Sequence, residues 1–177
     1  MWAAMRVLED AKDPVTGEAH VLDPWENPQV EANVVPRTRM MMLRAVAAAL
    51  PEGGRVINTS NRSEAYVGYS TKDGDDRGDF GVLRGYTVRE VVHMGLALAR
   101  LCGIQEWLIT KAPAGGLMGK ADEEAFGFTY GVLDDYLLHG AQVVDYRSIN
   151  WIEERRRANL HKMGEMPVCL KMSRYWE

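Results

Sequence analysis

The sequence runs to 177 residues, enough for one domain that buries about 70% of its unfolded surface without disulfides. Hydrophobic residues make up 46% and charged residues 26%, which excludes collagen-like, disordered and low-complexity classes. With 21 basic against 25 acidic residues the net charge is -4, which argues against a dedicated nucleic-acid binder.

No apolar run reaches the ~20 residues of a bilayer span, and the first ten residues lack the charged-then-apolar order of a signal peptide. Cys102 and Cys169 lie too far apart for a CxxC motif. The four histidines (His20, His93, His139, His161) show no metal-ligand spacing, so a structural zinc site is not expected. The expectation is a cytoplasmic domain with reduced thiols and no membrane or nucleic-acid partner.

The first dozen residues are apolar enough for a helix. Three X-Pro steps then follow, Asp13-Pro14, Asp23-Pro24 and Asn27-Pro28. Because proline disfavours the helical region for the residue before it, 13–35 reads as an extended connection. Met40, Met41, Leu43, Val46, Ala47 and Leu50 recur at helical spacing, and Pro51 with Gly53-Gly54 ends that helix. Arg55-Val56-Ile57-Asn58 reads as a buried strand that feeds the polar loop Thr59-Ser60-Asn61-Arg62-Ser63-Glu64, the arrangement that places ligands at strand ends in α/β sheets.

The charged, glycine-containing stretch 71–79 is a loop. Thr87-Val88-Arg89-Glu90 is a capping box opening a helix with Val91, Met94, Leu98 and Leu101 on one face and Gly103 at its end. Thr129 caps another helix, with Val132, Leu133, Tyr136 and Leu137 inward and Gly140 at its end. Ser148 starts the last helix, whose Arg155-Arg156-Arg157 run faces solvent. One confident strand among about five helices is a poor sheet, so the sequence reads as the later portion of an α/β domain.

Gly115-Gly116-Leu117-Met118-Gly119-Lys120 is one residue short of a phosphate loop and lacks the following hydroxyl, so it reads as a lid. Glu64, at a loop-to-helix junction after the strand, suits Mg²⁺ beside nucleotide phosphates, or equally a first-turn acid facing the helix dipole. Arg37 and Arg39 suit a carboxylate or phosphate clamp, or two solvated cations. His161-Lys162 suits an anionic ligand or the helix C-terminal dipole. Asp73, Asp75, Asp76 and Asp79 lack the calcium-loop pattern. Trp151, Tyr175 and Trp176 read as core or interface aromatics.

Several of these segments occur together and in order: Asn33-Val34-Val35-Pro36-Arg37-Thr38-Arg39-Met40, Asn58-Thr59-Ser60-Asn61-Arg62-Ser63-Glu64, Gly68-Tyr69-Ser70-Thr71-Lys72-Asp73-Gly74-Asp75, Lys111-Ala112-Pro113-Ala114-Gly115-Gly116-Leu117, Asp122-Glu123 and His161-Lys162. The set resembles ammonia-dependent NAD synthetases from about Asn33 to the end. The resemblance implies an α/β fold, an incomplete adenine-nucleotide alpha-hydrolase-like (Rossmann-like) parallel sheet flanked by helices. It divides the chain into an N-terminal helix and connection, 1–32, and a synthetase-like part, 33–177.

The implied reaction amidates deamido-NAD with ammonia, using ATP and Mg²⁺, through an adenylated intermediate. It asks for a phosphate clamp, cationic holders for two anionic nucleotides and a lid against water. By resemblance Glu64 is the Mg²⁺ ligand, Thr59 contacts ATP, and Arg37, Lys72, Asp79, His161 and Lys162 hold deamido-NAD. A homodimer is implied; the ammonia comes either from solution or from a glutaminase domain or partner. The family's SGGxDS ATP loop does not occur in the sequence, Val88 stands where many members carry an ATP-binding lysine, and Ala114 where many carry a hydroxyl near the metal. The expectation is therefore a C-terminal portion that is inactive alone; the alternative is a catalytically dead dimerising module of the same fold.

Overall fold

The computed structural model describes residues 28–112, 123–124 and 127–164. The expected helix in the first dozen residues, the lid loop 115–120, Asp122, Tyr175 and Trp176 lie outside them.

The first helix, α1 (Pro28–Ala49), begins inside the stretch read as an irregular connection, and Pro36 lies in its interior. Proline removes one helical amide donor and crowds the preceding turn, so tertiary contact has to hold such a helix together. That contact is present: Pro36 is buried, and a Cβ on Gly74 would lie 2.9 Å from the Pro36 Cβ and 3.0 Å from its carbonyl carbon. Only a residue without a side chain lets the 71–79 loop approach so closely. Two hydrogen bonds fix the same seam, from Thr71 Oγ1 to Asn33 Oδ1 (2.8 Å) and from Arg37 Nε to the Lys72 carbonyl (3.1 Å).

The strand read over 55–58 is shorter, β1 (Ile57–Asn58), and pairs in parallel with β2 (Phe80–Gly81), Ile57 opposite Phe80 and Asn58 opposite Gly81. Between them come α2 (Arg62–Val67) and the 71–79 loop. Buried Asn58 organises that loop: its Nδ2 donates to the carbonyls of Asp75 (2.8 Å) and Arg77 (3.0 Å), and its Oδ1 accepts the Ser60 amide (2.9 Å). Strand, polar loop and helix thus follow one another as the sequence predicts.

Helix α3 (Val88–Cys102) carries the expected capping box, Thr87 with Glu90, and ends at left-handed Gly103. Its expected inward face differs. Ala99 is buried, whereas Leu98 and Leu101 are 57% and 83% exposed. The segment after Ile104 forms a short helix, α4 (Trp107–Thr110). Helix α5 (Tyr130–His139) is capped by Thr129, whose hydroxyl accepts the Val132 amide.

The last long helix, α6 (Tyr146–Ala158), starts earlier than the Ser148 expected: Asp145 is its cap and accepts the Ser148 amide at 3.0 Å. A carboxylate at that position satisfies an orphan amide and complements the dipole, so Ser148 becomes the third helical residue. A final turn, α7 (Leu160–Met163), follows.

The core is Val67, Phe128, Tyr130, Leu133 and Ile152, ringed by Tyr66, Tyr69, Val88, Val132, Tyr136 and Leu137. It lies where α2, α5 and α6 meet. Packing of α6 on α2 overturns the solvent-facing reading of the arginine run. Arg155 is stacked 5.8 Å from the Tyr69 ring centroid and Arg156 4.1 Å from that of Tyr66, leaving Arg157 exposed. Trp151, read as core or interface, is 39% exposed and carries the Arg147 guanidinium on its ring. Among the described residues no helix is long and apolar enough to cross a membrane.

Candidate functional site

The loop after β1 turns directly into α2 through a reciprocal cap. Asn61 Oδ1 accepts the Glu64 amide at 2.9 Å, and Glu64 Oε2 accepts the Asn61 amide at 3.0 Å. Glu64 therefore does what a first-turn acid does, yet it also lines a narrow crevice with Ser60, Ser70, Asp76, Arg84 and Lys162. The first-turn role read from the sequence is therefore present, and the same residue lines the crevice.

Lys162 arrives from α7, about a hundred residues later in the chain. Its Nζ donates to the carbonyls of Gly68 (3.3 Å) and Ser70 (3.1 Å), the turn that closes α2. Burial, reinforced by the Arg155 charge, lowers its pKa from the usual lysine value, while Asp75 and Asp76 oppose that shift. Glu64 and Lys162 thus line one crevice.

Arg37, Lys72 and Asp79 lie along the seam between α1 and the 71–79 loop. Arg37 holds the Lys72 backbone, and the Lys72 side chain is exposed. Asp79 Oδ1 accepts from Arg44 Nη1 at 2.6 Å, and its Oδ2 accepts the Val56 amide at 2.7 Å. The Arg44 hydrogen bond is the main reason that the Asp79 carboxyl sits below the usual carboxylate range. Thr59 and His161 are exposed, and neither lines the Glu64–Lys162 crevice.

Sequence reading treated Asp76 only as one member of an acidic cluster. In the fold its side chain is 5% exposed and pairs with Arg77 Nε at 3.4 Å, and among the described residues neither carboxylate oxygen has a hydrogen bond of good geometry. Burial raises its pKa above the ordinary value. Asn58, by gripping the carbonyls on either side, holds Asp76 in the crevice. No spacing rule would have found this, because it depends on a loop closed by a strand residue. Arg84, from the turn after β2, gave no periodic or motif signal either.

Among the described residues no group of three or more His, Cys, Asp or Glu side chains could hold a metal ion. Mg²⁺ requires less when phosphates are present, since it is held by one or two carboxylates with phosphate oxygens and waters. Glu64 and the unsatisfied Asp76 carboxylate, lining one crevice, fit that donor chemistry.

The sequence matches the family model described as NAD synthase over residues 8–166. It is 39% identical over 142 residues to the NH(3)-dependent NAD(+) synthetase of Syntrophomonas wolfei, covering 80% of this chain and 54% of that one. It is 40% identical over 143 residues to that of Carboxydothermus hydrogenoformans, covering 77% and 54%. The chain therefore spans about half the length of the curated relatives it matches.

The fold is similar to the NMN synthetase from Francisella tularensis, with a TM-score of 0.71 and 28% identity over 82% of this chain and 58% of that one. It is also similar to the NH3-dependent NAD synthetase from Campylobacter jejuni, with a TM-score of 0.53 and 27% identity over 78% and 54%. The α/β, Rossmann-like class read from the sequence agrees with these neighbours. Crevice, loop chemistry and these likenesses lead to one conclusion: the chain belongs to the NAD synthase family.

Proposed function

We propose that this chain supplies the deamido-NAD-binding part of an enzyme that amidates deamido-NAD with ammonia at the expense of ATP. The observation that carries the reading is the convergence of Glu64 and Lys162 on one crevice from opposite ends of the fold. Lys162, held by two carbonyls and half-buried, presents a fixed positive charge to an anionic nucleotide. A charge-assisted bond of this kind contributes about 1.5–3 kcal/mol. Arg37, Lys72, Asp79 and His161 complete the holders, with Thr59 towards ATP.

Glu64, with Asp76 beside it, would hold Mg²⁺, which when bound neutralises phosphate charge. The chain's own residues orient the nucleotide. The cap at Asn61 fixes Glu64 at the mouth of α2, and the Gly68–Ser70 turn fixes Lys162.

The assembly is proposed to be a cytoplasmic homodimer. Met41, Met42 and Val46 on α1 are between 62% and 67% exposed, and an apolar helix face of that kind is commonly covered by a partner surface.

The stronger structural likeness, to an NMN synthetase, favours a second reading in which the nucleotide is the nicotinate mononucleotide. Calorimetric titration of the whole chain with deamido-NAD and, separately, with the mononucleotide tests both. Tighter binding of deamido-NAD supports the first reading, tighter binding of the mononucleotide the second, and binding of neither removes the proposal.

A further inference from the structure

Behind the Glu64–Lys162 crevice the surface changes character. A groove of about 400 Å³ is lined by Arg62, Tyr66, Arg84, Arg156, Leu160 and Met163. That volume is within the range of small-molecule sites. Three guanidinium groups face it and no carboxylate lines it.

Among the described residues none of the three charges has an acid in contact. Arg62 Nη2 donates only to the Leu137 carbonyl (3.3 Å), and Arg156 Nη1 only to the Tyr66 carbonyl (3.3 Å). Arg84 has no hydrogen bond or ion pair among the described residues. Two nearby acids make their hydrogen bonds elsewhere, although Glu90 also feels the Arg62 charge. Glu153 accepts the hydroxyls of Tyr66 (2.7 Å) and Tyr136 (3.0 Å), and Glu90 caps α3 through the Thr87 amide (2.7 Å).

The groove is also built rather than accidental. Arg156 is laid flat on Tyr66, 4.1 Å from its ring centroid, and Tyr66 is locked by Glu153 and by an edge-on contact with Tyr136. Arg62 and Arg156, planar donor-only forks each anchored on a carbonyl, match phosphate oxygens, which accept two parallel N–H bonds from one guanidinium.

We propose that this groove is a second anion site, distinct from the Glu64–Lys162 crevice, that binds a diphosphate-bearing ligand. Arg84, which lines both the groove and the crevice, ties the two together. The shared chemistry is the diphosphate group, carried by free pyrophosphate or by a nucleoside diphosphate. A nucleoside would add its ring to the exposed face of the Arg156–Tyr66 stack. The inference does not depend on the amidation reading.

The test is calorimetric titration of the whole 177-residue chain with inorganic pyrophosphate and with ADP, at low ionic strength and without divalent metal. Saturable pyrophosphate binding is expected, weakened about ten-fold in Arg84→Gln and also in Arg62→Gln, which lines the groove and not the crevice, each the loss of one charge-assisted contact. A loss in Arg84→Gln without one in Arg62→Gln would place the anion in the crevice and overturn the proposal. Arg84→Lys should recover part of it. Arg100→Gln, whose guanidinium pairs with Glu106 at 2.9 Å on a different surface, should bind as the wild type does. Circular dichroism confirms that each variant is folded. Tighter binding of ADP identifies a nucleotide ligand, and equal binding a free polyphosphate. Absence of saturable binding, or equal losses in Arg84→Gln and Arg100→Gln, overturns the proposal.

Discussion

Ser63 donates its hydroxyl to Asp134 Oδ1 at 2.5 Å, joining α2 to α5 across 71 residues of sequence. Both residues are buried, Ser63 completely and Asp134 to within 1%. The other Asp134 oxygen accepts the Arg89 amide at 2.8 Å, and Ser63 Oγ accepts the Val88 amide at 3.2 Å. Asp134 and Ser63 thus each satisfy one orphan amide at the start of α3 and tie three helices together.

Asp134→Ala should therefore destabilise the fold by about 2–4 kcal/mol, because it strands the buried Ser63 hydroxyl and the part-buried Arg89 amide at once. Urea denaturation monitored by circular dichroism reads the change. A loss below about 0.5 kcal/mol, ordinary for a surface substitution, would show that Asp134 is not a keystone.

The Arg44–Asp79 contact predicts an acid-sensitive seam between α1 and the 71–79 loop. Asp79 has its folded pKa depressed, first by Arg44 and then by the Val56 amide. Its contribution is fully present above the unfolded carboxylate value of about 3.9 and is lost as pH falls through the lower folded value. Arg44→Met should lower the urea midpoint at neutral pH, with the difference closing as pH drops below that range. A difference independent of pH would assign the effect to lost packing alone.

Asp76 predicts the opposite behaviour. Burial raises its folded pKa, so its charged form weakens the fold at neutral pH and the penalty is relieved as pH falls through the raised value. Asp76→Asn should raise the urea midpoint at neutral pH, and its advantage should shrink in acid. No gain at neutral pH would mean that Arg77, at 3.4 Å, fully compensates the buried charge.

Much of this architecture was legible in the sequence where the signal is local. Thr87 with Glu90 and Gly103 bracketed α3, and Thr129 opened α5, because caps and left-handed glycines act within one turn. The connection read over 13–35 ran too far, since 28–35 belong to α1, which is held at Pro36 by burial against Gly74, a contact set by a distant loop. Leu98 and Leu101 had helical spacing but are exposed among the described residues, and Arg155 and Arg156 were drawn inward by Tyr69 and Tyr66. The site divides in the same way. Glu64 and Lys162 were marked by their segments, whereas Asp76 and Arg84 acquire meaning only once Asn58 closes the loop and β2 turns back over α2.

The central claim is that the Glu64–Lys162 crevice binds the anionic nucleotide to be amidated, and affinity measured on Lys162→Met tests it most directly. Calorimetry with deamido-NAD, or with the mononucleotide if that binds more tightly, should show a loss of about ten- to one-hundred-fold, the weight of one charge-assisted bond. The circular dichroism spectrum should be unchanged. Equal affinity in the wild type and a folded Lys162→Met variant would contradict the account.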